Sequence, residues 1–382
     1  MNTKQSLKLS EPLLLAWLSL SRDSRFSVSQ KHRLLGHFAS PIEIYQTEYI
    51  DLCSFLGIKQ DLAKNRRYKS NIEANIEKDF RWLAQPNHHL VCWGDEQYPT
   101  LLAQISDPPI SIFASGNLAL LAEPKISIVG SRRPSPVGVK IANTIATELA
   151  RCGIVICSGM ALGIDAVAHQ ATLDEGESTI AVMGCGLDIV SPVRHRRLFD
   201  QIAQKGLMIS EYPLGYPASK YTFPQRNRIV SGLSLGVVIV EAADKSGTLI
   251  TARLAMEQNR EVFVVPGATI SPQYVGSHRL LKQGAILTTE TQDILMELSA
   301  PLKMALDTTE NSANSGPETA NNGKQRSKKF PILAHIDYYP TSINKIILES
   351  GLTASEVSSM LLLLEIEGLV AVTPEGSYIR VC

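Results

Sequence analysis

The chain has 382 residues, of which 44% are hydrophobic and 19% are charged. These values are ordinary for a folded protein, and the length predicts two or three domains. The 37 basic and 37 acidic residues cancel, which excludes a global positive field. Any nucleic-acid binding must therefore come from a local patch of charge.

Six cysteines are scattered along the chain without a C-x-x-C spacing or a partnered histidine tract. A disulfide framework and a zinc site both need such patterns, so we predict neither. We expect free thiols, no metal and a reducing compartment.

The first residues imitate a secretory signal, because Lys4 and Lys8 precede the apolar run 13–20. However, Glu11 and Pro12 fit the first turn of a helix, and no small-residue cleavage site follows the run. No other run approaches the ~20 apolar residues of a membrane span. We therefore expect a cytoplasmic protein that does not bind membranes.

Residues 1–80 are rich in Leu and Lys with helix-like spacing, which predicts a small helical domain. Residues 81–123 contain turn signals such as Asp-Pro-Pro at 107–109. Such signals predict a connecting segment rich in hairpins.

Short apolar runs then recur at intervals of about one strand–loop–helix unit. The runs are 126–129, 154–157, 179–183, 207–210, 237–240 and 262–265. Continuous apolar runs suit strands that are buried on both faces, as in a parallel sheet. Residues 124–297 therefore predict an α/β, doubly wound, mostly parallel sheet, with a seventh strand at 285–289. Such sheets bind ligands at the carboxyl ends of their strands.

The end of the chain changes character twice. Residues 298–329 become rich in Asn, Ser, Thr and Gly, which predicts a flexible linker. Residues 330–382 show two helical patterns, 343–350 and 353–368, followed by two β-like stretches around a Pro-Glu-Gly turn. This order is typical of a winged helix, although a generic α+β unit fits the pattern as well.

The first loop of interest is Gly130-Ser131-Arg132-Arg133, between a predicted strand and a predicted helix. A glycine turn there presents backbone N–H groups to an anion, and the arginines add charge that matches phosphate. The loop is neither G-x-G-x-x-G nor a Walker A sequence, so NAD or ATP is not expected and we predict no cofactor. A tight turn with solvated arginines is the alternative.

The segment 220–228, Lys-Tyr-Thr-Phe-Pro-Gln-Arg-Asn-Arg, interleaves two aromatic residues with cations. Single-stranded nucleic acid is bound by this combination, because cations take phosphates and a ring stacks a base for ~1–3 kcal/mol. A core phenylalanine that anchors the loop is the alternative. The predicted contacts are Lys220, Phe223, Arg226, Asn227 and Arg228.

The loop after the second strand of the sheet begins with Ser158 and Gly159, which we add to the predicted DNA contacts. Farther along, Asp165 and His169 lie four apart, on one helical face. They could form an acid–base pair, but no nucleophile is visible nearby. We prefer an internal hydrogen-bonded pair that shapes the loop, and we predict no catalytic residue.

Two more loops carry weaker signals. Ser246 and Gly247 precede a predicted helix and are predicted to form another anion site, with Thr248 as an ordinary N-cap being the alternative. The basic cluster 194–197 reads as solvated helix charge, with at most a role in steering DNA.

Taken in order, these loops resemble the DNA-processing protein family called DprA or Smf. The resemblance covers about 95–297, and the ordered set of motifs is specific although each motif alone is weak. The matching segments are 128–132, 158–165, 179–188, 210–211, 223–228, 246–251 and 261–267.

The resemblance implies an extended Rossmann-like domain that binds single-stranded DNA without a cofactor and without enzymatic activity. It implies protection of incoming DNA in natural transformation, loading of the recombinase RecA, and a homodimer formed through this domain. It also implies an N-terminal domain similar to SAM or helix-hairpin-helix domains and a C-terminal winged helix. Carried over by position, Arg132 binds phosphate, and Lys220 and Phe223 are the DNA-binding cation and the stacking ring.

Two alternatives remain. A nucleotide hydrolase of the phosphoribohydrolase type would draw on Glu241, 246–248 and Glu257, but the glycine run typical of such enzymes is missing. A transcription regulator would read duplex DNA through its winged helix. That segment has only Lys345 and Arg380 as lysine or arginine among several glutamates, which favours a protein-interaction module.

Overall fold

The structure is a computed structural model. It describes residues 10–298, 331–336, 340–350, 369–373 and 377–380, together with Val357, Met360, Leu361 and Leu364. The helices are α1 Glu11–Arg22, α2 Val28–His37, α3 Pro41–Gln46, α4 Tyr49–Leu56, α5 Leu62–Leu83, α6 Thr100–Ala103, α7 Pro136–Arg151, α8 Ile164–Asp174, α9 Arg196–Lys205, α10 Thr222–Gly232, α11 Thr248–Glu257, α12 Val275–Lys282, α13 Thr291–Glu297 and α14 Ile343–Ser350. The strands are β1 His88–Cys92, β2 Ser111–Gly116, β3 Lys125–Gly130, β4 Val155–Ser158, β5 Thr179–Val182, β6 Leu207–Ser210, β7 Gly236–Val240, β8 Glu261–Val264, β9 Ile286–Leu287, β10 Val370–Val372 and β11 Tyr378–Arg380.

The main sheet has nine strands in the order β1-β2-β6-β5-β4-β3-β7-β8-β9. From β6 to β9 every neighbouring pair is parallel. Each of the six apolar runs forms a strand of this parallel part, and the predicted seventh strand is the short β9. The predicted α/β fold with a mostly parallel sheet is confirmed.

Both faces of the sheet are covered, which explains why its strands are apolar without alternation. On one face Ile126 and Ile128 of β3 pack with residues of α7 such as Leu149. On the other face Val129 packs with residues of α10 such as Ile229. Each fully buried aliphatic side chain of this kind contributes about 1.5–3 kcal/mol relative to exposure, so the sheet is a rigid base for its loops.

The entry to α7 follows the predicted capping pattern. Ser135 is the N-cap and its hydroxyl accepts a hydrogen bond from the Gly138 N–H at 3.0 Å, while Pro136 occupies the first turn. The cap fixes where the loop after β3 ends and the helix begins.

Segment 81–123 is more than a connection, because it contributes β1 and β2 to the main sheet. Both strands are antiparallel, with β2 pairing to β6. This pairing covers a strand edge of β6 that the parallel part leaves open. The two strands pair with each other as in a hairpin, and the sequence did not predict that they join the main sheet.

The N-terminal helices α1–α5 share a core with the sheet, since Leu18 and Ile76 pack in one cluster with Phe113 of β2. A buried ion pair supports this contact: Arg22 donates to Asp79 Oδ1 at 2.6 Å and to the Leu214 carbonyl at 3.0 Å. Residue 80, the predicted boundary, lies inside α5.

The C-terminal part contains α14 and the antiparallel pair β10–β11. Its described apolar residues form one buried cluster that includes Ile346, Leu361 and Val370. The predicted linker 298–329 and most of the predicted helix 353–368 lie outside the described residues. Among the helices that are described, none is both long and apolar enough to cross a membrane.

Candidate nucleic-acid interface

The parallel strands bring their following loops to one edge of the sheet. The loops after β3, β4, β5 and β6 lie side by side there, next to the loops after β7 and β8. Because the carboxyl ends of parallel strands meet at this edge, residues from distant parts of the sequence share one surface.

The position where the chain order reverses, between β3 and β7, is occupied by the side chain of Glu241. This residue is fully buried, with φ of 58°. Its carboxylate accepts hydrogen bonds from the Ser135 N–H at 2.9 Å, the Ser135 hydroxyl and the Tyr274 hydroxyl at 3.0 Å. A Cβ added at Gly138 would lie 2.4 Å from Glu241 Oε1, so the carboxylate sits against the first turn of α7. In doubly wound folds a nucleotide phosphate binds at this helix N-terminus. In this protein the carboxylate of Glu241 is the anion at that position.

Two backbone N–H groups of the predicted anion site after β3 have partners inside the protein. The Ser131 N–H donates to the Val240 carbonyl at 3.2 Å, and the Arg133 N–H donates to Ser131 Oγ at 3.1 Å. A Cβ at Gly130 would lie 2.0 Å from the Val240 carbonyl oxygen. Gly130 and Ser131 thus shape a close-packed turn, and the side chains of Arg132 and Arg133 are exposed.

Arg132 points toward Phe223, in the first turn of α10. Its guanidinium carbon lies 5.8 Å from the ring centroid, within the range of a cation–π contact. The phenyl ring is half-buried and leans on the loop after β5, since a Cβ added at Gly184 would lie 3.1 Å from Phe223 Cδ1. One part of the Phe223 ring therefore anchors the loop, while another part is accessible, and its stacking role stays a prediction.

Lys220 and Tyr221 extend this surface. Both are exposed, Tyr221 to 69%, and the Lys220 Nζ lies 5.1 Å from the Tyr221 ring centroid. None of the ion pairs between described residues involves Arg132 or Lys220. We call Arg132, Lys220, Tyr221 and Phe223 the cation–ring surface.

Arg226 does not reach this surface. It is 3% exposed, its Nη1 donates to the Val182 carbonyl at 2.7 Å, and burial lowers the pKa of its guanidinium. A Cβ at Gly159 would lie 1.9 Å from Arg226 Nη1, so this glycine makes room for the guanidinium. Its predicted contact with DNA is corrected to a structural role inside the protein.

Arg228 is also engaged internally. Its Nη2 lies 2.6 Å from Glu211 Oε2, and its Nε lies 3.3 Å from Asp107 Oδ2. The intervening Asn227 is half-buried, and its carbonyl accepts a hydrogen bond from the Ser231 hydroxyl at 3.1 Å. Arg226 and Arg228 thus hold α10 in place, and the DNA contact of Asn227 stays a prediction.

The loop after β4 is built around Asp165. Ser158 is fully buried and donates to the Ile128 carbonyl at 2.6 Å. The N–H groups of Gly159 and Ala161 donate to Asp165 Oδ2 at 3.1 and 3.2 Å. Ser158 and Gly159 therefore act as structural residues rather than as the predicted DNA contacts.

Asp165 and His169 do not form the predicted pair, because each has other partners. The Thr179 hydroxyl donates to the Ile156 carbonyl at 2.6 Å, so His169 must be the donor in its 2.8 Å contact with Thr179 Oγ1. Its Nε2 then carries the lone pair and is buried without a hydrogen-bond partner. Burial, followed by the neighbouring Arg226, lowers the pKa of His169 to about 3.

Ser246 and Gly247 lie at the start of α11. The Ser246 hydroxyl donates to Thr248 Oγ1 at 2.9 Å, and the Thr248 hydroxyl donates to the Gly130 carbonyl at 2.9 Å. Thr248 is the first residue of the helix, and Gly247 is at the N-cap position. Gly247 is exposed with open space around it, and Ser246 is half-buried, so their predicted anion site stays a prediction.

Comparison with known proteins identifies the family to which this chain belongs. A family model described as DNA recombination-mediator protein A matches residues 89–299, and a model described as the DprA winged helix domain matches residues 318–376. The chain belongs to the DNA recombination-mediator protein A family. The resemblance to DprA and Smf proteins and the winged-helix prediction are confirmed.

Relatives of this family member match over most of their length. The chain is 41% identical to Protein Smf of Escherichia coli over 84% of both chains. The X-ray structure of DNA processing protein A from Streptococcus pneumoniae matches with a TM-score of 0.66 and 36% identity, over 74% of this chain and 97% of that one. A structure of DNA processing protein A from Helicobacter pylori, described by its single-stranded DNA binding mode, matches with a TM-score of 0.50 and 34% identity. The match covers 55% of this chain and 95% of that chain.

Tyr221 is the most exposed ring of the cation–ring surface, but it was not among the DNA contacts predicted from the sequence. Its position between Lys220 and Phe223 pointed to the same surface, but the motif alone does not show that the Tyr221 side chain is exposed.

Among the described residues, no group of three or more metal-binding side chains is placed to hold a metal ion.

Proposed function

We propose that this recombination-mediator family member binds single-stranded DNA across the carboxyl edge of its sheet. The observation that carries the proposal is the cation–ring surface, in which Arg132 lies against Phe223 beside the exposed Lys220 and Tyr221. Cations for the phosphates and rings for the bases are the groups by which proteins hold single strands. The single-stranded DNA binding described for the H. pylori relative supports the same activity here.

The arrangement favours a single strand over duplex DNA. A ring stacks on a base only when a face of that base is free, whereas both faces are covered inside a duplex. No predicted contact needs a particular base edge, so we expect little sequence preference.

The interior of the edge supports binding without catalysis. Glu241, on which a nucleotide hydrolase would draw, is fully buried and held by Ser135 and Tyr274. Ser246, another residue of that hypothesis, is hydrogen-bonded to Thr248. These groups stabilise the loops, and we propose that the protein captures DNA and hands it over rather than modifying it.

We further propose that the bound strand is passed to RecA during recombination of incoming DNA in natural transformation, in the reducing cytoplasm. The family description as a recombination mediator supports this step. We also propose a homodimer formed through the sheet domain, as the family resemblance implies. The winged helix is then a protein-interaction module, since its Lys345 is paired with Glu349 at 3.8 Å rather than left for phosphate.

Fluorescence anisotropy with the full chain tests the binding proposal. A single-stranded oligonucleotide and its duplex are titrated at two salt concentrations. We expect tighter binding of the single strand and weaker binding of both at higher salt. Equal affinity for the two forms, or an affinity that does not change with salt, would overturn the proposal.

RecA loading and the dimer need separate measurements. RecA filaments should form faster on single strands coated with single-strand-binding protein when this protein is added, and unchanged filament formation would contradict the loading step. Sedimentation of the pure protein should give the mass of two chains, and the mass of one chain would contradict the dimer.

A further inference from the structure

A second basic surface lies beside the loop after β4. Arg194, Arg196 and Arg197 are all exposed, at the end of the loop after β5 and in the first turn of α9. Together with α8, this segment forms an open groove of about 320 Å³. The groove is lined by Ala166, Val167, Gln170, Arg194, His195, Arg197 and Leu198.

The arginines of this groove form a cluster of charges without a carboxylate partner among the described residues. None of the ion pairs between described residues involves Arg194, Arg196 or Arg197. Four other exposed arginines have carboxylate partners: Arg81 with Glu77, Arg151 with Glu175, Arg253 with Glu257 and Arg279 with Asp244. The groove lining itself contains no carboxylate.

This cluster does not stabilise the helix in which it lies. Arg196 and Arg197 occupy the first turn of α9, which contains no acidic residue. The positive end of the helix dipole is there, and it disfavours cations. Three adjacent cations also repel one another, and an anion bound from outside the chain would relieve that repulsion.

The loop after β4 lies between the groove and the cation–ring surface and contacts residues on both sides. In the loop after β4, the Ile164 N–H donates to the Ser131 carbonyl at 3.1 Å, next to Arg132. At the other side of the same loop, His195 Nδ1 donates to the Met160 carbonyl at 3.3 Å. Between these contacts lies Leu162, which is 36% exposed and gives the loop an apolar surface.

We propose that this groove binds further nucleotides of the same single strand that crosses the cation–ring surface. Arg194 and Arg197 take backbone phosphates, Gln170 and His195 offer hydrogen bonds, and the apolar floor at Ala166 and Leu198 receives a sugar or base. The strand passes over Leu162 between the two surfaces. The inference rests on the proposed function and adds a second, separate segment to the binding path.

The test compares oligothymidylates of about six and about twenty nucleotides, because single-strand sites span about 4–16 nucleotides. Arg194→Gln/Arg197→Gln removes two charges from the groove. Arg151→Gln/Arg253→Gln removes two exposed arginine charges elsewhere and is the matched control. Anisotropy is measured over a range of salt concentrations, and thermal melting checks that each variant is folded.

We expect the groove variant to bind the long strand roughly tenfold more weakly, with a salt slope reduced by about 1.4, from two phosphate contacts at about 0.7 each. Its affinity for the short strand should stay within about twofold of the original, because the cation–ring surface is intact. Arg194→Lys/Arg197→Lys should recover most of the loss, since a lysine still neutralises a phosphate. The control variant should match the original protein with both strands.

A groove variant that binds the long strand as well as the original would overturn the inference alone, and so would an equal loss with both lengths. An original protein that binds neither length would overturn the proposed function together with the inference.

Discussion

The guanidinium carbon of Arg132 lies 5.8 Å from the ring centroid of Phe223, although one residue follows β3 and the other follows β6. The strands β4 and β5 lie between β3 and β6 in the sheet, so this contact reaches across their carboxyl ends. It places an exposed guanidinium and an aromatic ring in one surface.

Removal of the Phe223 ring should weaken DNA binding without changing its salt dependence. Phe223→Ala loses one stacking contact, worth about 1–3 kcal/mol, and should bind a single-stranded oligonucleotide roughly 5- to 150-fold more weakly in anisotropy titrations. Phe223→Tyr keeps a ring and should bind nearly as well as the original. Because the ring also contacts the loop at Gly184, melting temperatures are compared, and full affinity of a folded Phe223→Ala would count against the stacking role.

Glu241 should contribute to stability rather than to chemistry. In Glu241→Gln one acceptor oxygen becomes an amide donor that faces the donors of Ser135 and Tyr274. Urea unfolding should show a loss of about 1–3 kcal/mol in the free energy of unfolding. The matched change Glu257→Gln, at an exposed helix position, should stay within about 0.5 kcal/mol, and equal behaviour of the two variants would contradict this role.

Arg226 and Arg132 should respond in opposite ways to the same substitution. Arg226→Met removes a buried cation and leaves the Val182 carbonyl without its donor, so unfolding should require about 2–4 kcal/mol less. Arg132→Met lies on the surface and should change stability by less than about 0.5 kcal/mol while weakening DNA binding. A stable Arg226→Met that binds DNA poorly would restore Arg226 to the interface.

His169 should make the protein less stable as the pH falls below about 6.5. Its pKa is lowered to about 3 in the folded state, so the unfolded chain binds a proton first and acid favours unfolding. Between pH 7 and pH 5 the free energy of unfolding should fall by about 2 kcal/mol more than in His169→Gln, which cannot take up this proton. Parallel pH profiles of the two proteins would contradict the assignment.

The sequence was sufficient to predict the parallel sheet and the edge of the sheet at which the candidate site lies. Buried parallel strands are apolar throughout, so their runs stand out, and the cap formed by Ser135 marks where α7 begins. Strands β1 and β2 were predicted only as hairpin structure within 81–123, without positions, because they lie among turn signals. Their antiparallel pairing depends on β6, far along the chain.

The roles of individual arginines could not be read from the sequence. Arg226 and Arg228 share one helix with Phe223, but only their burial shows that they bind the Val182 carbonyl and Glu211 instead of an outside anion. The same limit applies to Glu241, whose position at the start of α7 arises from the neighbouring strands β3 and β7. Contacts of this kind depend on tertiary packing rather than on residue type.

The most direct measurement is the salt dependence of single-strand affinity for the original protein and for Arg132→Ala/Lys220→Ala. If both cations bind phosphates, the double variant should bind every sequence more weakly, and the slope of log affinity against log salt should fall by about 1.4. An unchanged slope and affinity in a folded double variant would contradict the claim that the strand crosses the cation–ring surface.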